Sequence, residues 1–398
     1  MDPRAFKSNP AGKLLRTAHG YHAFVPSPLP PRIQYTPQLV LLLSRADAAL
    51  SELSGLVGHL PNPGLIIAPY VRREALLSSR IEGTQASLAD VMLEEALGDR
   101  PDPQKQDIRE VSNYGAALYR GIEELKKLPL SLRLVKTLHR ALFHRLDMPQ
   151  VTAGEFRRTQ NWIGPPGSTL TTAAYVPPPV AEMHEALDHW EKFLHRRGDL
   201  PDLIQCALMH EQFETIHPFI DGNGRIGRLL ITLFLIERGR LREPLLYLSE
   251  YIESHREDYY ARLQRVRTHG DWDCWLRFFL QGVAETAGHA VSQAKVLADL
   301  REQWHDKLVK TPRAAALLDR LFSNPYISAS ATAAYLGVSL PTARATIRQL
   351  EKAGLLRETT RRNWGRMWLA APILEALESK SGGPRNRVRK RTKLVKTP

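Results

Sequence analysis

The chain has 398 residues, 43% of them hydrophobic and 24% charged, with a net charge of +13. That length allows two or three domains, and the composition is that of a globular protein. No run approaches the roughly 18 to 20 apolar residues of a membrane span, and Met1–Pro10 is polar where a signal peptide would be apolar. No membrane partner and a cytoplasmic location are therefore expected.

Cys206 and Cys274 are the two cysteines. They make no disulfide framework, and no Cys/His spacing suggests zinc, which fits a reducing compartment. The charge is uneven. Eight of the thirteen net positive charges fall between Ser379 and Pro398, on Lys380, Arg385, Arg387, Arg389, Lys390, Arg391, Lys393 and Lys396, with no acid among them. The body is mildly basic; the tail reads as a solvated basic end with affinity for phosphates.

In chain order the pattern is helix after helix. Thr36-Pro37 reads as an N-cap with proline at the first helical position, and Leu39, Leu42, Leu43, Ala46, Leu50 and Leu53 recur at helical spacing. A second helix is expected from near Pro69 to Gly83, a glycine suited to a left-handed cap. Helices follow at about 87–97, 105–127 and 131–146. The segment Gly154–Pro179 breaks the period and reads as a hairpin-like flap, with β-like runs at Asn161-Trp162-Ile163 and Tyr175-Val176. Helices resume at about 180–196, 203–216, 226–238, 250–268 and 272–308. From Thr311 a new order appears: a helix, a second helix capped by Ser328, a turn at Gly337, a third helix from Leu340 to Ala353, then two short strands at Leu355–Glu358 and Arg366–Leu369. That is the order of a winged helix-turn-helix. The expected fold is mainly α, with a short β-hairpin flap. The expected divisions are 1–100, 101–308, 309–375 and a basic tail at 376–398.

The chemistry concentrates in His217-Pro218-Phe219-Ile220-Asp221-Gly222-Asn223-Gly224-Arg225-Ile226-Gly227-Arg228. A Gly-Asn-Gly turn before a helix bares backbone N–H groups to an anion, and the helix dipole adds to the attraction. Arg225 and Arg228 share one side of the first helical turn and suit a polyphosphate. Asp221 offers a hard oxygen for magnesium. His217 can exchange a proton near neutral pH. A base, a metal ligand, a phosphate cradle and positive clamps are the parts of phosphate-group transfer.

This stretch resembles the complete signature of the Fic family, His-Pro-Phe-x-Asp-Gly-Asn-Gly-Arg-x-x-Arg, without departure. The likeness runs over about residues 20–305 and includes Gly154-Glu155-Phe156-Arg157 and Asn161-Trp162-Ile163-Gly164. The resemblance implies transfer of AMP from ATP to a Ser, Thr or Tyr hydroxyl of a target protein. His217 would be the base, and Asp221 would hold Mg²⁺. Residues Gly222, Asn223, Gly224, Arg225, Ile226, Gly227 and Arg228 would bind the nucleotide, with Arg228 on the γ-phosphate. The flap would align the target by strand addition. Tyr251, and then Tyr259 or Tyr260, would line the adenine pocket.

Ser78, Glu82 and Gly83 resemble the family's inhibitory motif, in which the glutamate pairs with the last signature arginine, here Arg228, and so excludes the γ-phosphate. The resemblance leaves open removal of AMP, another donor group, and a homodimer. Arg344, Arg348 and Lys352 recur every fourth residue, and Arg361, Arg362 and Arg366 crowd the wing; phosphate contacts to duplex DNA would want this. A nucleotide-sensing transcription regulator is the competing function.

Overall fold

The computed structural model describes residues 1–6, 10–57, 64–98, 106–309, 311–360 and 365–379. The basic tail after Ser379, and Arg361 and Arg362, lie outside the described residues. As expected, the fold is mainly helical.

Before the first helix stands an element that the periodicity did not announce. Strands β1 (Gly12–Arg16) and β2 (His22–Pro26) pair antiparallel, and Phe24 is buried. The Phe24 N–H donates to the Val176 carbonyl at 3.0 Å, tying this hairpin to the flap.

Helix α1 (Pro37–Val57) starts where Thr36 Oγ1 accepts the Leu39 N–H. It buries Leu39, Ala46, Leu50 and Leu53. Helix α2 begins at Gly64, five residues before the expected start, and runs to Ile81 with Pro69 inside it. An internal proline costs about 3 kcal/mol through its missing N–H. Burial of Ile67, Tyr70 and Val71 around it, worth roughly 1.5–3 kcal/mol for a large apolar side chain, offsets that cost. Helix α3 (Leu88–Leu97) carries a capping box between Ser87 and Asp90, of the kind worth about 1 kcal/mol. Helices α4 (Gln106–Leu125) and α5 (Leu132–Leu142) follow, α5 stopping short of the expected 146. The flap closes with a single antiparallel bridge, Ile163 to Tyr175.

Helices α6 (Val180–Leu194), α7 (Asp202–Ile216) and α8 (Asn223–Glu237) come next. Every residue of α7 from Leu203 to Ile216 is buried, including Gln205, His210, Glu211, Gln212, Glu214 and Thr215. A helix covered on all sides lies at the centre of a core. Helix α7 packs against α8, so the loop joining them is anchored at both ends.

The helix expected at 250–268 is two, α9 (Leu248–Ser254) and α10 (Arg256–His269). The Ser254 hydroxyl bonds back to the carbonyls of Glu250 and Tyr251, a bond that bends helices, and the break falls at His255. Helix α11 (Trp272–Leu308) is the spine, lying along α1. No helix among the described residues is long and apolar enough to cross a membrane.

The C-terminal elements are α12 (Pro312–Ser323), β3 (Tyr326–Ser328), α13 (Ala329–Leu336), α14 (Leu340–Lys352), β4 (Arg357–Glu358), β5 (Met367–Leu369) and α15 (Ala371–Glu378). Ser328 caps α13 as expected, and Gly337 takes a left-handed conformation. Strand β3 was not foreseen; it makes the hairpin a three-stranded sheet in the order β3-β5-β4. Helix α15 crosses the expected boundary at 375.

Candidate active site

The chain leaves α7 through His217, at φ 49° and ψ 60°. A left-handed conformation is uncommon for a side-chain-bearing residue; here it turns the loop back toward α8. Flap residues hold it there. Arg157 Nε donates to the His217 carbonyl at 3.0 Å, and Asn161 Nδ2 donates to the Phe219 carbonyl at 2.9 Å. Asn223 closes the loop from within: its Oδ1 accepts the Phe219 N–H at 2.8 Å and its Nδ2 donates to the Phe219 carbonyl at 2.9 Å.

A histidine that the motif does not include braces the outer side. His139 stacks on Phe219 at 3.8 Å. Its Nδ1 accepts the Gly154 N–H at 2.8 Å, so Nε2 carries the proton and donates to the Asp221 carbonyl at 3.1 Å. Burial pushes its pKa down to about 4, which keeps this neutral tautomer in place.

Close neighbours crowd the glycines of the loop. Gly222 caps α8 at φ 80°, and a Cβ there would sit 2.7 Å from the Phe143 ring. A Cβ on Gly224 would collide with Glu82 Oε1 and Arg228 Nη1. The open helix start between them presents N–H groups that lack intrahelical partners.

Arg225 and Arg228 are 3% and 2% exposed. Arg225 Nη1 meets Glu110 Oε2 at 3.3 Å, and its Nη2 meets Asp221 Oδ2 at 3.5 Å. Arg228 faces the end of α2: Nε donates to Ser78 Oγ at 2.8 Å, and Nη2 donates to the Ser78 carbonyl at 2.9 Å and to Glu82 Oε1 at 2.6 Å. Burial raises the Glu82 carboxyl, but the Arg228 guanidinium overrides it and holds its pKa below the usual value. Gly83, at φ 112°, lets the chain turn away just after that contact.

The His217 pKa is pushed down to about 3, first by burial and then by the charges of Arg267 and Arg157. The imidazole is therefore neutral, and its Nδ1 is buried without a hydrogen-bond partner. Beneath the loop, Glu214 is also buried, with Oε1 unpartnered. Burial pushes its pKa up to about 7. A Cβ on Gly227 would collide with this oxygen, which explains a glycine at a position the motif leaves free.

His217, Asp221, Gly222 to Arg228, Ser78, Glu82 and Gly83 thus meet in one place. Tyr251 does not join them. Its ring packs on His255 at 4.2 Å and Phe278 at 5.0 Å, and it lines a cavity of about 450 Å³ with Arg73, Leu77 and Arg80. By helical spacing those three project from α2 on the side opposite Ser78 and Glu82. Tyr259 is buried, its hydroxyl 3.0 Å from His210 Nε2, whereas Tyr260 is 43% exposed and lies in the field of Glu82 and Arg228. Glu110, His139, Arg157, Asn161 and Glu214 also build the site. Arg157 and Asn161 stand in the flap segments that carry the resemblance; for His139 the sequence signal is a polar residue on the otherwise apolar face of Val135, Leu138 and Leu142.

Comparison with known proteins agrees with this geometry. Residues 40–123 match the Fic/DOC family N-terminal region, and residues 129–235 match the Fic/DOC family. Together the two matches carry the likeness to the Fic/DOC family across residues 40–123 and 129–235. The Protein adenylyltransferase Fic of Drosophila grimshawi is 30% identical over 165 residues, 41% of this chain and 30% of that protein. The protein of the same name from Drosophila virilis is 29% identical over the same shares. The chain thus spans about a third of the length of these curated relatives. The crystal structure of a Fic family protein from Desulfovibrio desulfuricans G20 superposes with a TM-score of 0.57 at 23% identity, over 86% of this chain and 98% of that one, which shows a shared fold.

Proposed function

We propose that the site transfers AMP from ATP to a Ser, Thr or Tyr hydroxyl of a target protein. The observation that carries this reading is the convergence of a neutral histidine, an accessible carboxylate and two buried arginines on one glycine-opened helix start. In the reaction His217 takes the proton of the target hydroxyl as its oxygen attacks the α-phosphorus. The new O–P bond forms, the bond to the β-phosphate oxygen breaks, and pyrophosphate leaves. The N–H groups of residues 222–224 and the Arg225 guanidinium receive phosphate oxygens. A preorganised donor at such a place is worth about 2.7–4 kcal/mol. Arg228 takes the γ-phosphate.

The Asp221 side chain fits magnesium. It is 41% exposed, and Oδ2 has only a long 3.5 Å contact with Arg225. One hard oxygen suits an ion that keeps phosphates and waters as its other ligands; no cluster of three or more metal-binding side chains stands among the described residues. When bound, the ion neutralises phosphate charge.

Glu82 supplies a brake. Its carboxylate occupies the guanidinium that the γ-phosphate needs, so ATP binds weakly or with its α-phosphate misplaced, and misplacement costs orders of magnitude in rate. A second reading is removal of AMP from a target. It is favoured by the same carboxylate, 36% exposed beside the loop, where it can orient a water molecule. The C-terminal elements are read as a winged helix that docks on duplex DNA through Arg344, Arg348, Lys352 and Arg366. A cytoplasmic location and a homodimer belong to the same proposal. The DNA docking leaves a nucleotide-sensing regulator as the non-enzymatic rival.

The test is transfer of label from α-³²P-ATP to protein with Mg²⁺. Glu82→Gly is expected to raise transfer roughly 10- to 1,000-fold, the scale of a correctly placed phosphate clamp. Unchanged transfer at saturating ATP removes the brake. No label with any variant, while ATP still binds, turns the reading to AMP removal or nucleotide sensing.

A further inference from the structure

Helix α2 packs against α4, α9 and α12. At its end Ser78 and Glu82 meet Arg228. On another side α12, one of the C-terminal elements, lies along it. Two successive arginines make the junction. Arg72 Nη1 donates to the Ser323 carbonyl, the last residue of α12, at 2.9 Å, while its Nε pairs with Glu95 at 2.7 Å. Arg73 Nη2 donates to the Ser379 carbonyl at 3.3 Å and to Glu250 Oε1 at 2.9 Å. Asn324 Nδ2 donates to the Met92 carbonyl on α3 at 2.9 Å, and Gln293 Nε2 donates to the Ala376 and Leu377 carbonyls on α15. Arg72 lies on α2 and Glu82 directly follows its last residue, Ile81, ten residues or roughly 15 Å further on, so a tilt or shift of α2 at the junction moves the brake.

The same module carries an open groove. A cavity of about 640 Å³ lies between α14, the start of α13 and the hairpin, lined by Arg344, Arg348, Arg366, Ser328, Ser330 and Trp368. Glu351 and Glu358 are also there, but Glu351 accepts the Trp368 indole N–H and Glu358 pairs with Arg366. Arg344 and Arg348 are exposed on one face of α14, beside Leu340, which is 45% exposed. Arginines with hydroxyls at a helix start fit a phosphate backbone. From this groove α14 packs on α12, and α12 packs on α2.

We propose that the docked C-terminal module holds α2 where Glu82 closes on Arg228, and that duplex DNA in the arginine groove loosens that hold and releases the brake. The inference rests on the AMP-transfer reading and adds its regulator. A ligand shifts such an equilibrium only by its differential affinity for the two positions; couplings of this kind run roughly 5- to 150-fold.

The experiment uses the full chain. Label transfer from ATP is measured for wild type, Arg72→Ala, Asn324→Ala and Glu82→Gly, each with and without a 20-base-pair duplex, and duplex binding is followed by fluorescence anisotropy at low salt. Duplex is expected to raise wild-type transfer within the roughly 5- to 150-fold coupling range and to leave Glu82→Gly unchanged. Arg72→Ala and Asn324→Ala are expected to raise transfer without duplex, and Arg344→Ala/Arg348→Ala to abolish the response. Two junction variants are used so that one that misfolds does not end the test. A duplex that does not bind, or that binds and leaves wild-type transfer unchanged or lower, overturns the proposal, as does an equal response in Glu82→Gly. If Glu82→Gly transfers no label, the AMP-transfer reading has failed. The relay is then read from ATP affinity in the same samples, and it stands only if duplex tightens ATP binding in wild type and not in Glu82→Gly.

Discussion

Helices α8 and α14 both open after a turn and both carry regularly spaced arginines, but they hold them in opposite ways. On α8, Arg225 and Arg228 are almost wholly buried, and each is met by a carboxylate, Glu110 or Glu82. On α14, Arg344 and Arg348 are exposed and make no ion pair among the described residues. A buried guanidinium needs a fixed anion, and removing one partner of such a pair costs about 3–5 kcal/mol. An exposed one is already paired with water and salt, and its contacts are worth about 0–1 kcal/mol. On the proposed reading, the first arrangement is a site in which one anion is exchanged for another. The second is an exposed basic surface, and any affinity it has for an anion would be electrostatic and fall with salt.

The sharpest way to break that contrast is at His217, where the largest effect is expected. In the Glu82→Gly background, His217→Ala should lower label transfer roughly 10²- to 10⁴-fold, the usual contribution of a general base, while ATP binding persists. The low pKa also sets a pH dependence. As the proposed base, His217 would work as the neutral imidazole, and a folded-state pKa of about 3 keeps it neutral as pH falls through the ordinary 6.5. The acid limb of kcat/KM should therefore lie well below pH 6; a limb at 6.5 would show that His217 is not the group seen here. Next in size is Arg228→Lys in the same background. An ammonium cannot present the planar fork that now engages Ser78 and Glu82. With a charged hydrogen bond worth about 1.5–3 kcal/mol, KM for ATP should rise roughly 10- to 150-fold with little change in kcat. A fall in kcat alone would place Arg228 outside γ-phosphate binding.

Most of the loop was legible in the sequence because its parts lie in twelve consecutive residues, and a helix start fixes their relative directions. The pairing of Glu82 with Arg228 was legible for a similar reason: Ser78 and Glu82 are four apart at the end of a helix and just before a glycine. The supporting groups were not. Glu110 reaches Arg225 across 115 residues of chain and His139 reaches Asp221 across 82; a polar residue on a helix does not by itself announce so distant a partner. Tyr251 shows the same limit from the other side. The resemblance suggested the adenine pocket, whereas the ring packs on His255 and Phe278 and lines a cavity with Arg73, Leu77 and Arg80, contacts that a hydrophobic period does not reveal. Strand β3 and the β1–β2 hairpin are too short for periodicity to separate from loop. The start of α2 was misplaced because Pro69 reads as a helix start when only local rules are applied.

A smaller effect is expected at Gly222, where the fold and the site share a residue. The backbone there is left-handed, and a Cβ would lie 2.7 Å from the Phe143 ring. Backbone strain and overpacking each cost about 1–3 kcal/mol. Gly222→Ala should lower the urea midpoint by a corresponding amount and weaken ATP binding together with it. A variant of wild-type stability that still loses ATP would separate the cradle from the packing beneath it.

The smallest effect should come from Arg348→Ala, and it tests the other half of the comparison. This side chain is exposed on α14, so its removal should change stability by no more than about 0.5 kcal/mol, as for most surface substitutions. If it contacts a phosphate, removing it should weaken duplex binding evenly across sequences and reduce the slope of log affinity against log salt by about one. Measuring anisotropy over a range of salt concentrations separates the possible roles. A lower slope with no sequence preference marks a backbone contact. An unchanged slope with relaxed sequence preference would instead place Arg348 on a base edge, where a bidentate contact is worth about 1–3 kcal/mol of discrimination. No change in either would mean that the arginines of α14, unlike those of α8, stand on a face that meets no nucleic acid.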